Sequence, residues 1–225
     1  MHLTPDHIVL FRWGFASLNA TILCTWILMA LLVLFSRLVT RHLAGPEQPR
    51  SRWQNAVEVI VVMLREQIRT LCGPGGDRYL PFIGSLFIFI AASSLLEVVP
   101  GWHAPTASLS TTAALAIMVG IAVPAFGILS QGIAGYFRHY LKPNVIMLPL
   151  HVLSETSRNL ALAVRLFGNV MSGAMIAGML LAIAPLFIPV PMELLGLLVG
   201  AIQAYVFALL ATVYIAAAVK RGQEE

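Results

Sequence analysis

The chain has 225 residues, of which 59% are apolar and only 11% charged, whereas an ordinary globular domain has roughly 45–50% apolar and about 25% charged residues. A water-soluble fold of this length needs about twice that ionic surface, so a soluble single domain is all but excluded and lipid is the solvent for most of the chain. The formal net charge of +4 does not signal nucleic acid, because the basic residues stand at the ends of apolar runs and read as topology signals.

A membrane helix needs about 20 mostly apolar residues. Five stretches meet that condition, at 14–36, 79–99, 111–136, 159–188 and 192–219, which predicts an all-α polytopic membrane protein with one membrane domain over 1–225. Residues 1–13 form an outer N-terminal segment. The first run is too long for a signal-peptide core, and no small-x-small cleavage site follows it, so it is kept as a membrane helix. Gly45, Pro46 and Pro49 then break the chain within a cytoplasmic loop over 37–78.

That loop contains an apolar face at helical spacing: Ala56, Val57, Ile60, Met63, Leu64 and Ile68. With Trp53 at one end and charges opposite, it predicts an amphipathic helix lying in the interface; a helix docked on protein is the alternative. Gly73-Pro74-Gly75-Gly76 precedes the second span and Pro100-Gly101 closes it. The second and third spans occupy 79–136, a cytoplasmic loop 137–158, a helical hairpin 159–219 and a cytoplasmic tail 220–225.

Of the 14 Lys and Arg residues, alternation of five spans puts twelve on one side: Arg37, Arg41, Arg50, Arg52, Arg65, Arg69, Arg78, Arg138, Lys142, Arg158, Lys220 and Arg221. Only Arg12 falls opposite, so the N-terminus should face out and the C-terminus the cytoplasm. Cys24 and Cys72 are far apart, and the histidines show no His-x-x-x-His pair, so neither a metal site nor a cofactor is expected. No phosphate-binding Gly-Lys-Ser/Thr loop occurs, so nucleotide chemistry would belong to another chain.

Arg165 is the basic residue left over, inside the fourth apolar run. A guanidinium in the middle of a membrane helix costs roughly 2.5–3.5 kcal/mol on insertion scales, which calls for a function. Read at i+3/i+4, Glu155, Arg158, Leu162, Arg165, Asn169 and Ser172 form one stripe. The bland alternative is an arginine snorkelling to the interface; about 10 Å of rise between Arg158 and Arg165 argues against it.

The last span has a matching stripe of Glu193, Gly196, Gly200, Gln203, Phe207, Leu210 and Tyr214. Gly196 and Gly200 form a small-xxx-small pair for close helix approach. Only the turn Pro189-Val190-Pro191 separates the two spans, so they form an antiparallel hairpin on which Arg165, Asn169 and Gln203 meet at similar depth. Each arm, at about 45 Å, exceeds a hydrocarbon core of about 30 Å, which predicts strong tilt. Toward the cytoplasm, Ser154, Glu155, Ser157 and Arg158 read equally as a polar path or, at Ser154, as a helix cap. Glu193 and Glu97, at the outer ends of two spans, are candidates for an outer path or plain solvated carboxylates.

Arg165-Leu166-Phe167-Gly168-Asn169, with Leu153-Ser154-Glu155 upstream and Ile202-Gln203-Ala204-Tyr205-Val206-Phe207 downstream, resembles subunit a of the F-type ATP synthase membrane sector. Pro81-Phe82-Ile83-Gly84-Ser85-Leu86-Phe87-Ile88-Phe89, Val99-Pro100-Gly101 and the run from Pro105 to Thr112 extend the similarity over about residues 53–219. Against that pattern, Ala174 and Gly196 replace residues that are often acidic or, at the latter, His, and Ser108 and Ser110 stand where Asp and Asn are usual. These departures resemble the N-type branch of the family.

The resemblance implies a stator carrying H+ or Na+ past a rotor ring of subunit c, beside a peripheral-stalk subunit b and, indirectly, a soluble ATP-converting head, in a bacterial inner membrane. Its partners would be these chains and membrane lipid, not nucleic acid. It implies that Arg165 is the essential cation facing the rotor carboxylate, supported by Asn169, Gln203, Ser172 and Tyr214. Glu155 and Arg158 would serve a cytoplasmic half-channel, Glu193 and Glu97 an outer one. A stand-alone secondary transporter or channel is the alternative, disfavoured because inverted repeats and broken helices are not visible. An intramembrane enzyme lacks paired Asp, Ser/His or metal-ligand motifs in the spans.

Overall fold

A computed structural model of the chain describes residues 9–13, 16–40, 52–99, 102, 104–141, 147–183 and 189–220. A short antiparallel hairpin, β1 (Val9–Trp13) and β2 (Ala16–Asn19), leads into α1 (Ala20–Thr40). Then come α2 (Arg52–Cys72), a 3-10 turn at Pro74–Tyr79, α3 (Leu80–Leu96), a 3-10 turn at Pro105–Ala107, α4 (Leu109–Leu141), α5 (Met147–Ile183) and α6 (Pro189–Lys220). Five of these segments are long and apolar enough to cross a membrane. The chain is thus a helical multi-pass membrane protein, as its composition predicts.

Several boundaries differ from the expected ones. The first helix begins at Ala20 rather than 14, directly after Asn19, a residue type favoured just outside a helix N-terminus. The loop expected over 137–158 is shorter, because α5 already starts at Met147 with Pro149 in its first turn. Ser154 therefore lies inside the helix and caps nothing at its start. Pro189 and Pro191, expected as a turn, form the first turn of α6, where their missing N–H groups cost no helical hydrogen bond. The connection itself, 184–188, the stretch 41–51 after α1 with Gly45, Pro46 and Pro49, and Pro100-Gly101 lie outside the described residues.

The third span was expected to run unbroken over 111–136, but α4 breaks at Gly132, with φ 78° and ψ 163°. Only glycine adopts that backbone without steric cost.

The core lies among α3, α4, α5 and α6, where Ile83, Leu86, Ile90, Leu115, Val119, Leu162, Leu166, Phe207, Ala211 and Ile215 are buried together. Two close approaches fix the helix positions. A Cβ on Gly200 would lie 2.6 Å from the Cβ of Ser94, and one on Gly120 would collide with the Asn159 amide. By contrast, a Cβ on Gly196 would meet nothing within 4 Å. The predicted glycine pair is thus divided: Gly200 admits α3, whereas Gly196 faces open space.

The docking alternative for α2 holds for its C-terminal half. Leu64 and Ile68 are 4% and 1% exposed and dock its C-terminal half, while Val59, Ile60 and Met63 stay exposed. The docked end is pinned by Asp77, which accepts from Arg69 Nε at 2.9 Å and Nη2 at 2.6 Å, with Arg65 Nε 3.5 Å away. Tyr79, next along, packs edge-on against Phe126 of α4 with ring centroids 4.9 Å apart.

Candidate functional site

Helical periodicity turns Leu162, Ala163, Leu166 and Val170 of α5 into the core and leaves Arg165 on the opposite, exposed face. The predicted stripe therefore straddles an edge: Leu162 is buried, Glu155, Arg158 and Asn169 are half-buried, and Arg165 and Ser172 are exposed. Arg165 sits midway along α5, which runs Met147–Ile183, so either end lies about 27 Å away along the axis. No described carboxylate pairs with its guanidinium.

On the hairpin-connection side of Arg165, a cavity of about 420 Å³ opens between α3, α5 and α6. Glu97 and Ser94 line it from the α3 end, Asn169 and Ser172 from α5, and Glu193, Gly196 and Gln203 from α6. Gly196 is what leaves this space open, and Ala174, also on the wall, adds no polar atom. Ser172 Oγ donates to the Asn169 carbonyl at 3.1 Å. Deeper in, Asn169 Nδ2 donates to Gln203 Oε1 at 3.5 Å. Gln203 is only 7% exposed, and its Nε2 is buried with no acceptor among the described residues. A buried amide N–H without an acceptor is costly.

On the other side of Arg165 lies a cavity of about 20 Å³, lined by Val123, Glu155, Arg158, Asn159, Tyr214, Ala217 and Ala218. The Arg158 guanidinium rests over the Tyr214 ring, 5.0 Å from its centroid. Tyr214 thus belongs with Arg158 and not with Asn169 and Gln203. Ser154 and Ser157 are exposed and line neither cavity.

Between the two cavities the described interior is mainly apolar, and the buried Thr212 hydroxyl there donates to the Ala208 carbonyl at 2.7 Å. Leu162, Leu166, Phe207, Ala208 and Ala211 are all buried in one cluster. Polar groups approach the level of Arg165 from both ends without meeting.

Two polar residues escaped the sequence reading. Gln131 of α4 donates from Nε2 to the carbonyls of Ala218 and Val219 at 2.7 and 3.3 Å, and Asn159 packs against Gly120. The only hint was an amide beside a glycine at the end of an apolar run. Ser108 and Ser110 bond each other at 2.7 Å, away from either cavity lining. Among the described residues no group of three or more His, Cys, Asp or Glu side chains could hold a metal ion.

The profile of a family described as ATP synthase A chain matches residues 22–216. The chain belongs to the ATP synthase A chain family. Over 218 residues it is 58% identical to ATP synthase subunit a 2 of Acaryochloris marina, covering 97% of this chain and 93% of that protein. It is 54% identical to ATP synthase subunit a of Albidiferax ferrireducens, covering 98% of this chain and 95% of the relative. Against ATP synthase subunit a 1 of Crocosphaera subtropica the identity is 50% over the whole chain and 97% of the relative. The family match starts inside α1 and ends inside α6. It spans the described walls of the large cavity and includes Arg165.

Proposed function

We propose that this chain is the stator subunit of a rotary ATP synthase or ATPase and offers two offset half-channels for a monovalent cation, H+ or Na+, to the carboxylates of a rotor ring. The carrying observation is the exposed Arg165 at mid-helix, unpaired among the described residues, between two cavities with polar side chains in their walls that a largely apolar layer keeps apart. The larger cavity, with Glu97 and Glu193 at its mouth and Asn169, Ser172 and Gln203 further in, is the outer half-channel. Glu155 and Arg158, beside Tyr214, serve the cytoplasmic one.

The arginine follows from the chemistry of such a device. A rotor carboxylate crossing lipid must be neutral, carrying its cation, and must release it at the stator before loading another from the opposite side. A fixed positive charge stabilises the emptied carboxylate and repels the departing cation. Arginine keeps that charge where a desolvated lysine can lose it. The same charge stops a cation from passing directly between the half-channels. Each cation crossing the potential is worth about 2.3 kcal/mol per 100 mV, and a direct leak dissipates it.

In this reading the partners are the subunit c ring, a peripheral-stalk subunit b and, indirectly, the soluble head. The membrane is the bacterial inner membrane, with the N-terminus outside and the C-terminus cytoplasmic. The test is ATP-driven cation uptake by the complex in vesicles, with and without sodium, for the parent, Arg165→Ala and Arg165→Lys. Loss of uptake in assembled mutants is expected; normal coupled uptake in Arg165→Ala contradicts the proposal. Uptake by this chain alone would favour a stand-alone transporter.

A further inference from the structure

The last turn of an α-helix leaves carbonyls that its own backbone cannot satisfy. In α6 two of these, Ala218 and Val219, accept from the single amide nitrogen of Gln131, 87 and 88 residues earlier in the chain. Gln131 is the residue immediately before the break at Gly132, where α4 leaves its helical path. The amide thus ties the end of one helix to the point where another turns away.

This tie lies at the small cavity. Ala218, whose carbonyl Gln131 holds, is part of the cavity wall, as are Ala217 and Tyr214 on the same helix and Val123 on α4. Tyr214, one turn before Ala218, is the ring on which Arg158 rests. A space of about 20 Å³ holds a single water at most.

We propose that Gln131 is a positioning residue of the cytoplasmic half-channel: by holding the α6 terminus it sets the width of a one-water constriction between Glu155, Arg158 and Tyr214. This rests on the half-channel reading above and adds what fixes the bore. Without the clamp the end of α6 moves off α4, the constriction widens, and the Tyr214 ring no longer holds Arg158 in place. The requirement is for a donor. Glutamine supplies two N–H groups from one nitrogen, lysine supplies three, methionine none, and glutamate presents oxygens to the carbonyls. A lysine also suits the negative end of the α6 dipole.

The experiment uses the intact complex in vesicles, with Cys24→Ala, Cys72→Ala and the reporter Ala217→Cys. The rate of modification of the reporter by a membrane-impermeant thiosulfonate, added to the face where α6 ends, is compared across Gln131 variants. Gln131→Met should raise it about tenfold, the opening expected when hydrogen bonds of ordinary strength are lost. Gln131→Lys should stay near the parent. An unchanged rate in Gln131→Met, or equal rises in Met and Lys variants, overturns the proposal.

A second measurement covers the case in which Gln131→Met fails to assemble. In Gln131→Asn, too short to reach α6, hydrogen exchange over the last turn of α6 should speed up; parent-like exchange overturns the clamp. If the labelling order holds while Arg165→Ala still couples transport, the clamp stands and the half-channel reading falls.

Discussion

Gly200 of α6 and Ser94 of α3 touch where the wall of the large cavity closes: a Cβ at Gly200 would lie 2.6 Å from Ser94 Cβ and 2.7 Å from its Oγ. Ser94 is itself held, its hydroxyl donating to the Ile90 carbonyl at 3.1 Å. Gly200→Val must therefore push α3 away, at a cost of about 1–3 kcal/mol typical of an overfilled core. One turn earlier, Gly196 faces the cavity, and Gly196→Ala should hold stability or raise it by up to about 1 kcal/mol, alanine being the better helix former. Thermal unfolding of the purified complex, followed by retention of this chain, should separate the two variants.

Gln203 gives a different signature. Its Nε2 is buried without an acceptor among the described residues, while its Oε1 accepts only the long 3.5 Å bond from Asn169, so Gln203→Leu removes a costly buried donor with one weak bond and should cost at most about 1 kcal/mol of stability. Removing a donor worth roughly 1.5 kcal/mol to a ligand oxygen should nonetheless slow cation transport about tenfold. The check is coupled uptake against thermal midpoint in one preparation. A parallel fall in both would mean the amide is structural.

Phe207 tests the separation of the cavities. It is fully buried in the apolar layer with Leu162 and Leu166, and Phe207→Ala should cost about 3–5 kcal/mol through the void it leaves. A void at that level shortens the dry gap between the cavities. Passive proton flux through the membrane sector, with the rotor held still, should rise in this variant and stay at the parent level in Leu150→Ala, on the exposed part of α5.

Much of this was legible because lipid makes the sequence rules strict. A charge such as Arg165 cannot be placed casually in an apolar run, and the spacing of Asn169 from Arg165 follows from helical rise alone. The five spans follow from the length of their apolar runs.

What could not be read depended on neighbours. Gly196 and Gly200 are equivalent by spacing, and only the position of Ser94 decides which one admits a helix. Gly132 resembles any tolerated glycine in an apolar run until its backbone angle is known. Ser154, Glu155 and Ser157 look like loop residues, yet helix α5 runs through them from Met147 because nothing after Pro149 breaks it. Gln131 gave no more than the hint of an amide beside a glycine, since its partners are backbone carbonyls nearly ninety residues away.

The most direct measurement is a cryo-EM map of the assembled membrane sector containing this chain, resolved well enough to place the Arg165 side chain. A stator arginine requires the guanidinium to face the ring carboxylate within about 4 Å, and at about 2.7–2.9 Å for a directly hydrogen-bonded pair, with the large cavity open to one side of the membrane and the small one to the other. Density showing Arg165 directed into lipid headgroups, or against a helix that is not part of the ring, would contradict it.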